Sequence, residues 1–156
     1  MLMALVSLVG IFVALYLTLY KLGKIGTLAC GTGGCETVQL SRWGDFLGLP
    51  VAAWGVGFYV LVFALALASL QSRFAESRAL ALALVLVTGW GVAFTAWLTY
   101  LELFVINAIC RWCLGSAALV VVLFVLALLD WREMRNAGAL SVARCAQQRP
   151  NRVGRP

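Results

Sequence analysis

Four long stretches of the sequence contain no charged residue, and they constrain the fold more than any other feature. They cover residues 1–20, 46–72, 79–101 and 112–129. A helix needs about 20 apolar residues to cross the roughly 30 Å hydrocarbon core of a membrane, at a rise of about 1.5 Å per residue. The sequence therefore predicts four membrane-spanning helices, packed as an all-α integral membrane four-helix bundle.

The composition agrees with a membrane environment. Hydrophobic residues make up 63% of the 156 residues and charged residues 12%, against about 45–50% and about 25% in soluble proteins. So few charges cannot cover a soluble globule of this size. We interpret the first stretch as a retained helix and not a secretory signal, because it has no basic start and no small-x-small cleavage site before Lys21. Residues 1–135 are predicted to form one membrane domain.

Basic residues divide unequally between the two sides of such a bundle. The second connection and the C-terminal tail share one side and carry eight Lys and Arg residues, whereas the first and third connections carry four. The positive-inside rule then places both termini in the cytoplasm, with the chain in the cell inner (plasma) membrane. Residues 136–156 are expected to form a disordered basic tail that is solvated or touches anionic lipid. The net charge of +6 requires no nucleic acid partner.

The five cysteines divide between the same two sides. Cys30 and Cys35 fall in the first external connection, Cys110 and Cys113 at the external end of the fourth span, and Cys145 in the tail. Disulfides persist outside the cytoplasm, where thiols are not kept reduced. We therefore expect redox chemistry at the four external cysteines and none at Cys145. Because the chain has no histidine, Ser-His-Asp catalysis and histidine metal ligation are excluded.

Cys110-Arg-Trp-Cys113 has the C-x-x-C spacing, which closes a small disulfide ring and suits dithiol exchange. Asn107 is a candidate N-cap for the fourth helix, so both thiols would lie in or near its first turn, where the helix end favours thiolate. Arg111 adds a positive charge. A lowered thiol pKa assists both attack and departure in exchange. A structural disulfide is the alternative.

Cys30 and Cys35 enclose the sequence Gly-Thr-Gly-Gly, which predicts a Gly-rich external loop between the first two helices and argues against a helix there. Such a loop can move and admit the cysteine of another protein. Together with the C-x-x-C pair, it indicates a two-step electron relay. A four-thiolate zinc site is the alternative, but the x4 spacing and the membrane-abutting second pair make a closed tetrahedral site awkward, so no metal is expected.

A set of motifs in fixed order resembles the vitamin K epoxide reductase family, its bacterial branch most of all. These are Cys30-x4-Cys35, then Ser41-Arg-Trp-Gly44, then Gly48-Leu-Pro50 leading into a helix with Gly55, and finally Cys110-x-x-Cys113. The resemblance runs from about residue 19 to 129. It implies a four-helix bundle around a quinone, a loop cysteine pair that exchanges with a thioredoxin-fold partner, and a C-x-x-C that reduces the quinone.

The resemblance also assigns roles to individual residues. It implies that Cys113 lies next to the quinone and that Cys110 exchanges with the loop pair. Cys35 would then be the loop cysteine that meets Cys110, and Cys30 the outer cysteine that meets the substrate protein. Ser41 matches a loop serine that helps support the site.

Two departures from the vertebrate enzymes bear on the substrate. Val51 and Ala117 stand where those enzymes have an Asn and a Tyr that bind the quinone oxygens. The resemblance therefore disfavours epoxide reduction here and leaves plain quinone reduction. Bacterial relatives often carry a fused thioredoxin-like domain, whereas this chain ends in a short tail, so we expect the partner to be a separate protein.

Aromatic residues in the spans are candidates for lining a quinone slot. An isoprenoid quinone needs an apolar cavity reachable from the bilayer with one polar end. We select Trp54, Phe58 and Trp97 as candidate cofactor-binding residues. Packing within the bundle or anchoring at the membrane interface is the alternative for each of them.

Glu102 is the acidic residue between the third span and the C-x-x-C motif. We interpret it as solvated or ion-paired with Arg111 or Lys24. A role as proton acceptor during quinone reduction is the alternative.

These patterns predict a membrane thiol oxidase that supports disulfide formation in exported proteins. Electrons would pass from a reduced thioredoxin-fold partner to the Cys30/Cys35 pair, then to the Cys110/Cys113 pair, and then to a membrane quinone. One alternative is a quinone or quinone-epoxide reductase whose main output is quinol. Another is a non-catalytic scaffold or small transporter with structural disulfides, which the absence of charge near the centre of each span disfavours.

Overall fold

The computed structural model describes residues 1–26, 34–71 and 77–148, and only the backbone of 137–148. Cys30 and the side chain of Cys145 lie outside this description. The helices are α1 (Leu2–Lys21), α2 (Gly34–Leu40), α3 (Val51–Ser69), α4 (Arg78–Leu101) and α5 (Arg111–Gln148). A 3-10 turn (Arg42–Gly44) and strands β1 (Asp45–Phe46) and β2 (Leu49–Pro50) precede α3, and a π-helical segment (Glu102–Ile106) follows α4.

Four helical segments are long and apolar enough to cross a membrane, which confirms the predicted number of spans. They are α1, α3, α4 with its π-helical extension, and α5 as far as Asn136. Large apolar side chains cover their outer faces: Leu5 is 61% exposed, Phe12 65% and Val121 47%. A continuous apolar surface of this kind is suited to lipid and not to water. The fold is a membrane helical bundle.

Buried residues form two clusters inside the bundle. The first lies among the long helices and includes Tyr59, Leu84 and Leu123. The Tyr59 hydroxyl joins α3 to α5, because it donates to the Ser116 carbonyl at 2.9 Å and lies 2.8 Å from the Ser116 hydroxyl. The second cluster lies where α2 meets the start of α5 and comprises Leu17, Cys35, Val38 and Cys110.

The second span begins later than the sequence predicts. A two-stranded antiparallel hairpin pairs Asp45 with Pro50 and Phe46 with Leu49, so the apolar residues before Val51 are not helical. Leu47 and Gly48 both have positive φ, 54° and 79°, as a tight two-residue hairpin turn requires.

The turn before the C-x-x-C motif also differs from the prediction. Asn107 does not cap the fourth helix: it has a left-handed φ of 53° and ends the π-helical segment, donating its N–H to the Glu102 carbonyl. Asparagine tolerates this conformation better than most residues. Helix α5 begins only at Arg111.

Helix α5 continues further than predicted. It extends to Gln148, so the prediction of a disordered tail is wrong for residues 137–148. This segment contains four alanines and a single glycine, and alanine has the highest helix propensity. The basic residues of this segment predicted contact with water, but a segment in contact with water can still be helical.

Candidate redox site and apolar cavity

Cys110 and Cys113 lie at the start of α5, with free thiols. The Cys110 carbonyl accepts the Leu114 N–H at 3.0 Å, and its Sγ accepts the Cys113 N–H at 3.3 Å. Cys110 therefore occupies the capping position, and Cys113 lies in the first turn. Cys110 is fully buried and Cys113 is half-buried. The expected placement of the C-x-x-C motif at a helix start is confirmed, although Cys110 and not Asn107 caps the helix.

The pKa of the Cys110 thiol lies below its ordinary value, chiefly because the Cys113 thiol hydrogen-bonds to it. The backbone N–H groups of Cys113 and Trp112 lower this pKa further, whereas burial and the Glu102 carboxylate oppose the shift. Arg111 is exposed and is not among the groups that shift it. Hydrogen bonds at the helix start therefore favour the Cys110 thiolate, which is the state needed for disulfide exchange.

Cys35 lies in the first turn of α2, is fully buried and is disulfide-bonded. Because the thiols of Cys110 and Cys113 are free, neither is its partner. The prediction of a non-helical loop is wrong from Gly34 onward, because Cys35, Val38 and Gln39 form a buried face at helical spacing.

A close backbone contact holds α2 against the segment before Cys110. A Cβ at Gly34 would come within 2.6 Å of the Ile109 carbonyl oxygen, so only glycine fits here without displacement. Cys35 and Cys110 share one buried cluster as a result. This juxtaposition brings one cysteine of the first pair to the second pair.

Gln39 is a site residue that the sequence analysis missed. It is buried and donates from Nε2 to the Cys113 Sγ at 3.8 Å. The backbone carbonyl of Gln39 accepts a hydrogen bond from the Lys21 ammonium, which is also 3.1 Å from the Asp45 carboxylate. Its spacing of four residues after Cys35 places both on one helical face, and that signal was available in the sequence.

Ser41 supports this arrangement through α2. Its hydroxyl donates to the Val38 carbonyl at 2.7 Å, at the end of the helix that carries Cys35 and Gln39. The serine does not line the cavity described below. Its contribution is to the end of α2 and not to the thiols directly.

Glu102 is buried, with 5% of its surface exposed, so the interpretation as a solvated group is wrong. Its Oε2 accepts the Cys110 N–H at 3.3 Å, and its side chain hydrogen-bonds to the Cys113 thiol. The expected ion pair with Arg111 or Lys24 is also absent: within the described residues, the ion pair formed is Lys21 with Asp45.

An apolar cavity of about 830 Å³ opens beside Cys113, which is a volume typical of a small-molecule site. Gln39, Glu102 and Cys113 all contribute to its wall, together with Trp54 and Phe58. Trp97 does not line it. That ring packs edge-on against Trp43 and tilted against Phe94, both of which do line the cavity.

The donor set of this cavity fits a quinone. Val51 and Ala117 add apolar wall, while Gln39 supplies an amide donor and Glu102 a carboxyl group next to the Cys113 thiol. An apolar chamber with a few polar groups is the general form of a site for a largely apolar ring ligand. In the described part of the chain, no group of three His, Cys, Asp or Glu side chains could hold a metal ion.

The chain matches the model of a known protein family. The model of the vitamin K epoxide reductase family matches residues 1–128. This range includes the first three spans, the C-x-x-C motif and most of the fourth span. The match confirms the resemblance drawn from the ordered cysteine, serine and glycine motifs. Members of this family are membrane oxidoreductases that link disulfide chemistry to quinones.

Proposed function

This chain belongs to the vitamin K epoxide reductase family, and from that premise we propose that it is a membrane thiol oxidase. A reduced thioredoxin-fold protein passes two electrons to the Cys30/Cys35 pair. These electrons move to the Cys110/Cys113 pair and then to a membrane quinone. The physiological product is an oxidised partner that introduces disulfides into exported proteins.

One observation carries this proposal: the C-x-x-C pair connects Cys35 to the cavity. Cys110 is buried in one cluster with Cys35, and Cys113 contributes to the cavity wall. A structural disulfide would need no such cavity. The arrangement instead supports a relay in which electrons arrive from a partner protein through Cys35 and leave to a small molecule in the cavity at Cys113.

The exchange steps use the sulfur atoms of the chain itself. The partner thiolate attacks Cys30 and opens the loop disulfide, and the partner's second thiolate then breaks this mixed disulfide, which releases Cys30 and leaves the partner oxidised. The Cys35 thiolate attacks Cys110 in the Cys110–Cys113 disulfide, releasing Cys113 as a thiolate. Cys30 then attacks Cys35, which restores the loop disulfide and releases Cys110.

A bound quinone supplies the oxidant that closes the Cys110–Cys113 disulfide again. Gln39, Trp54, Phe58 and Glu102, which line the cavity, are the residues proposed to hold it. The apolar wall at Val51 and Ala117 offers no hydrogen bond there to an epoxide or quinone oxygen. This observation favours plain quinone reduction over epoxide reduction.

We further propose that both termini are cytoplasmic in the plasma membrane and that the four relay cysteines face the outside. The eight-to-four division of Lys and Arg residues supports this orientation. The partner is then a separate exported oxidoreductase. The substrate thiols meet Cys30 in a compartment where disulfides persist.

Anaerobic mixing of the purified protein with quinone and a reduced thioredoxin-fold protein tests the proposal. Short-chain ubiquinone and menaquinone analogues are supplied in turn, and the loss of quinone absorbance is compared with the loss of partner thiols. We expect one quinol for each partner disulfide. Cys113→Ala should abolish quinone reduction, and Cys145→Ser should retain it.

Two results would contradict the proposal. If Cys113→Ala reduces quinone at the parent rate, electrons do not reach the quinone through Cys113. The absence of both thiol exchange with the partner and reduction of any quinone would favour a protein whose cysteines are structural. Cells that lack the protein distinguish its output: exported proteins with free thiols support the oxidase, and a shortage of quinol with normal disulfides supports the reductase.

A further inference from the structure

Glu102 is held between the two cysteines of the C-x-x-C motif by two separate contacts. Its carboxylate accepts the Cys110 backbone N–H at 3.3 Å, and its side chain hydrogen-bonds to the Cys113 thiol. It also contributes to the wall of the cavity that Cys113 lines. One carboxyl group therefore touches both the reacting sulfur and the space where the oxidant binds.

Among the described residues, no cation lies beside this carboxyl group to compensate its charge. No Lys or Arg nitrogen in the described residues lies within 4.0 Å of it. The titratable groups that contact or influence it are the thiols of Cys110 and Cys113. Buried carboxyl groups at structural positions are normally paired with a cation, so an ion-pair role does not explain Glu102.

Charge conservation makes Glu102 a suitable destination for the Cys113 proton. When a proton moves from the Cys113 thiol to the Glu102 carboxylate, these two groups together carry one negative charge before and after the transfer. Forming the Cys113 thiolate by losing the proton to water would add a second negative charge beside the carboxylate, which is costly in a region of low dielectric constant. The side-chain hydrogen bond between the two groups provides the path.

We propose that Glu102 takes the Cys113 thiol proton as the C-x-x-C pair is oxidised and delivers it to an oxygen of the quinone. This inference rests on the proposed function. Overall, two S–H bonds break, one S–S bond forms between Cys110 and Cys113, and two electrons and two protons reach the quinone. Glu102 carries one proton. The Cys110 thiol loses the other to the aqueous phase, from which the second quinone oxygen takes its proton.

The fold positions Glu102 for this task through the π-helical segment. The Glu102 carbonyl accepts the N–H groups of Asn107 and Ala108, while its side chain accepts the N–H of Cys110. These bonds set the turn that leads from α4 to the C-x-x-C motif. A purely structural role would be to hold this turn, and the experiment must separate that role from proton transfer.

Glu102→Gln makes the separation, because its amide oxygen still accepts the Cys110 N–H but the side chain cannot carry a proton. We expect single-turnover quinone reduction to fall about 10²-fold or more, as for the loss of a general acid–base group. Transfer between the loop pair and the C-x-x-C pair should not fall in parallel, because Gln keeps the hydrogen bond to the Cys110 N–H and removes a carboxylate that raises the Cys110 pKa. Glu102→Asp should recover part of the lost rate.

A second measurement needs no quinone. Infrared difference spectra compare the oxidised and reduced C-x-x-C pair in a Cys30→Ser/Cys35→Ser protein. With no quinone present to take the proton, Glu102 should keep it when the pair is oxidised. The band of a protonated carboxyl group should therefore be stronger in the oxidised state, shift in deuterium oxide and be absent in Glu102→Gln. Glu36→Gln, which removes another carboxyl group on α2, is the matched control and should leave the band unchanged.

The outcomes separate the failure of this inference from that of the proposed function. Unchanged quinone reduction in a folded Glu102→Gln protein would overturn the proton-transfer role, as would the absence of a carboxyl signal in the parent. If Glu102→Gln fails to fold, the infrared spectrum of the parent and the quinone-reduction rate of Glu102→Asp still test whether Glu102 transfers the proton. If the parent reduces no quinone, the proposed function fails, and the infrared result alone judges whether Glu102 exchanges a proton with Cys113.

Discussion

The contact between Gly34 and Ile109 makes Gly34→Ala an informative substitution. The added Cβ would lie 2.6 Å from the Ile109 carbonyl oxygen, whereas real Cβ contacts are essentially never closer than 3.0 Å and are ordinary from 3.4 Å. Helix α2 must therefore move by 3.0 − 2.6 = 0.4 Å at the least and by 3.4 − 2.6 = 0.8 Å for a normal contact. This displacement separates Cys35 from Cys110.

The expected loss of rate follows from this displacement. A misplacement of 1 Å at a reacting centre costs about 10²-fold, so on a logarithmic scale 0.4 Å costs about 6-fold and 0.8 Å about 40-fold. We expect transfer between the two cysteine pairs to slow by a factor in this range. Exchange of the Cys30/Cys35 pair with the partner does not use the contact and should keep its rate.

The assay starts from fully oxidised protein mixed with a reduced thioredoxin-fold protein. Samples are quenched by alkylation, and the free thiols of Cys110 and Cys113 are followed by peptide mass. Gly26→Ala is the matched control, because a Cβ at Gly26 meets nothing within 4 Å. Parent-like transfer in Gly34→Ala would refute the role of this contact, and equal slowing in Gly26→Ala would show that the effect is not specific to it.

Three further predictions concern orientation, ionisation and support of the site. In intact cells treated with a reductant, a membrane-impermeant thiol reagent should label Cys30, the relay cysteine proposed to meet the partner, and spare Cys145. Labelling of Cys145 alone would reverse the orientation. The second test uses a protein whose Cys30, Cys35 and Cys145 are replaced by serine. Cys113→Ala should raise the pKa of the Cys110 thiol, because it removes the hydrogen-bond donor that lowers this pKa, and Cys113→Ser should raise it less. Thiolate absorbance in the ultraviolet, measured against pH, gives the pKa, and equal midpoints in the three proteins would contradict the prediction. Lys21→Met should lower the free energy of unfolding by about 1–3 kcal/mol, because it removes a charged hydrogen bond to the Gln39 backbone carbonyl. Denaturation in detergent measures this, and Lys24→Met, at an exposed position, should change the free energy by less than about 0.5 kcal/mol. A similar loss in both variants would contradict the supporting role of Lys21.

Hydropathy was sufficient to identify the spans, because lipid imposes one requirement on every residue of a crossing helix. The C-x-x-C spacing likewise indicated a dithiol pair at a helix start. Both are local properties of the chain. They do not depend on which elements later pack together.

The features that sequence reasoning missed depend on tertiary contacts. Glu102 looked like a surface acid because the π-helical segment that turns it toward Cys110 has no simple sequence signature. The spacing of Gln39 from Cys35 was visible in the sequence, but the contact of its amide with Cys113 depends on the packing of α2 against the start of α5. Trp97 shared the composition of the cavity wall but lies behind Trp43 and Phe94. An aromatic side chain that lines the cavity cannot be told from one that packs behind its wall by residue type alone.

The most direct test of the central claim, that the two cysteine pairs form one relay, is to trap the disulfide between them. A Cys30→Ser/Cys113→Ser protein, with Cys145→Ser to remove the remaining thiol, leaves Cys35 and Cys110 without their usual partners. Their shared buried cluster should let their Cα atoms reach the roughly 4.4–6.8 Å that a disulfide needs. Non-reducing peptide mapping under oxidising conditions should then recover Cys35 bonded to Cys110. Recovery of both as free thiols would contradict the relay.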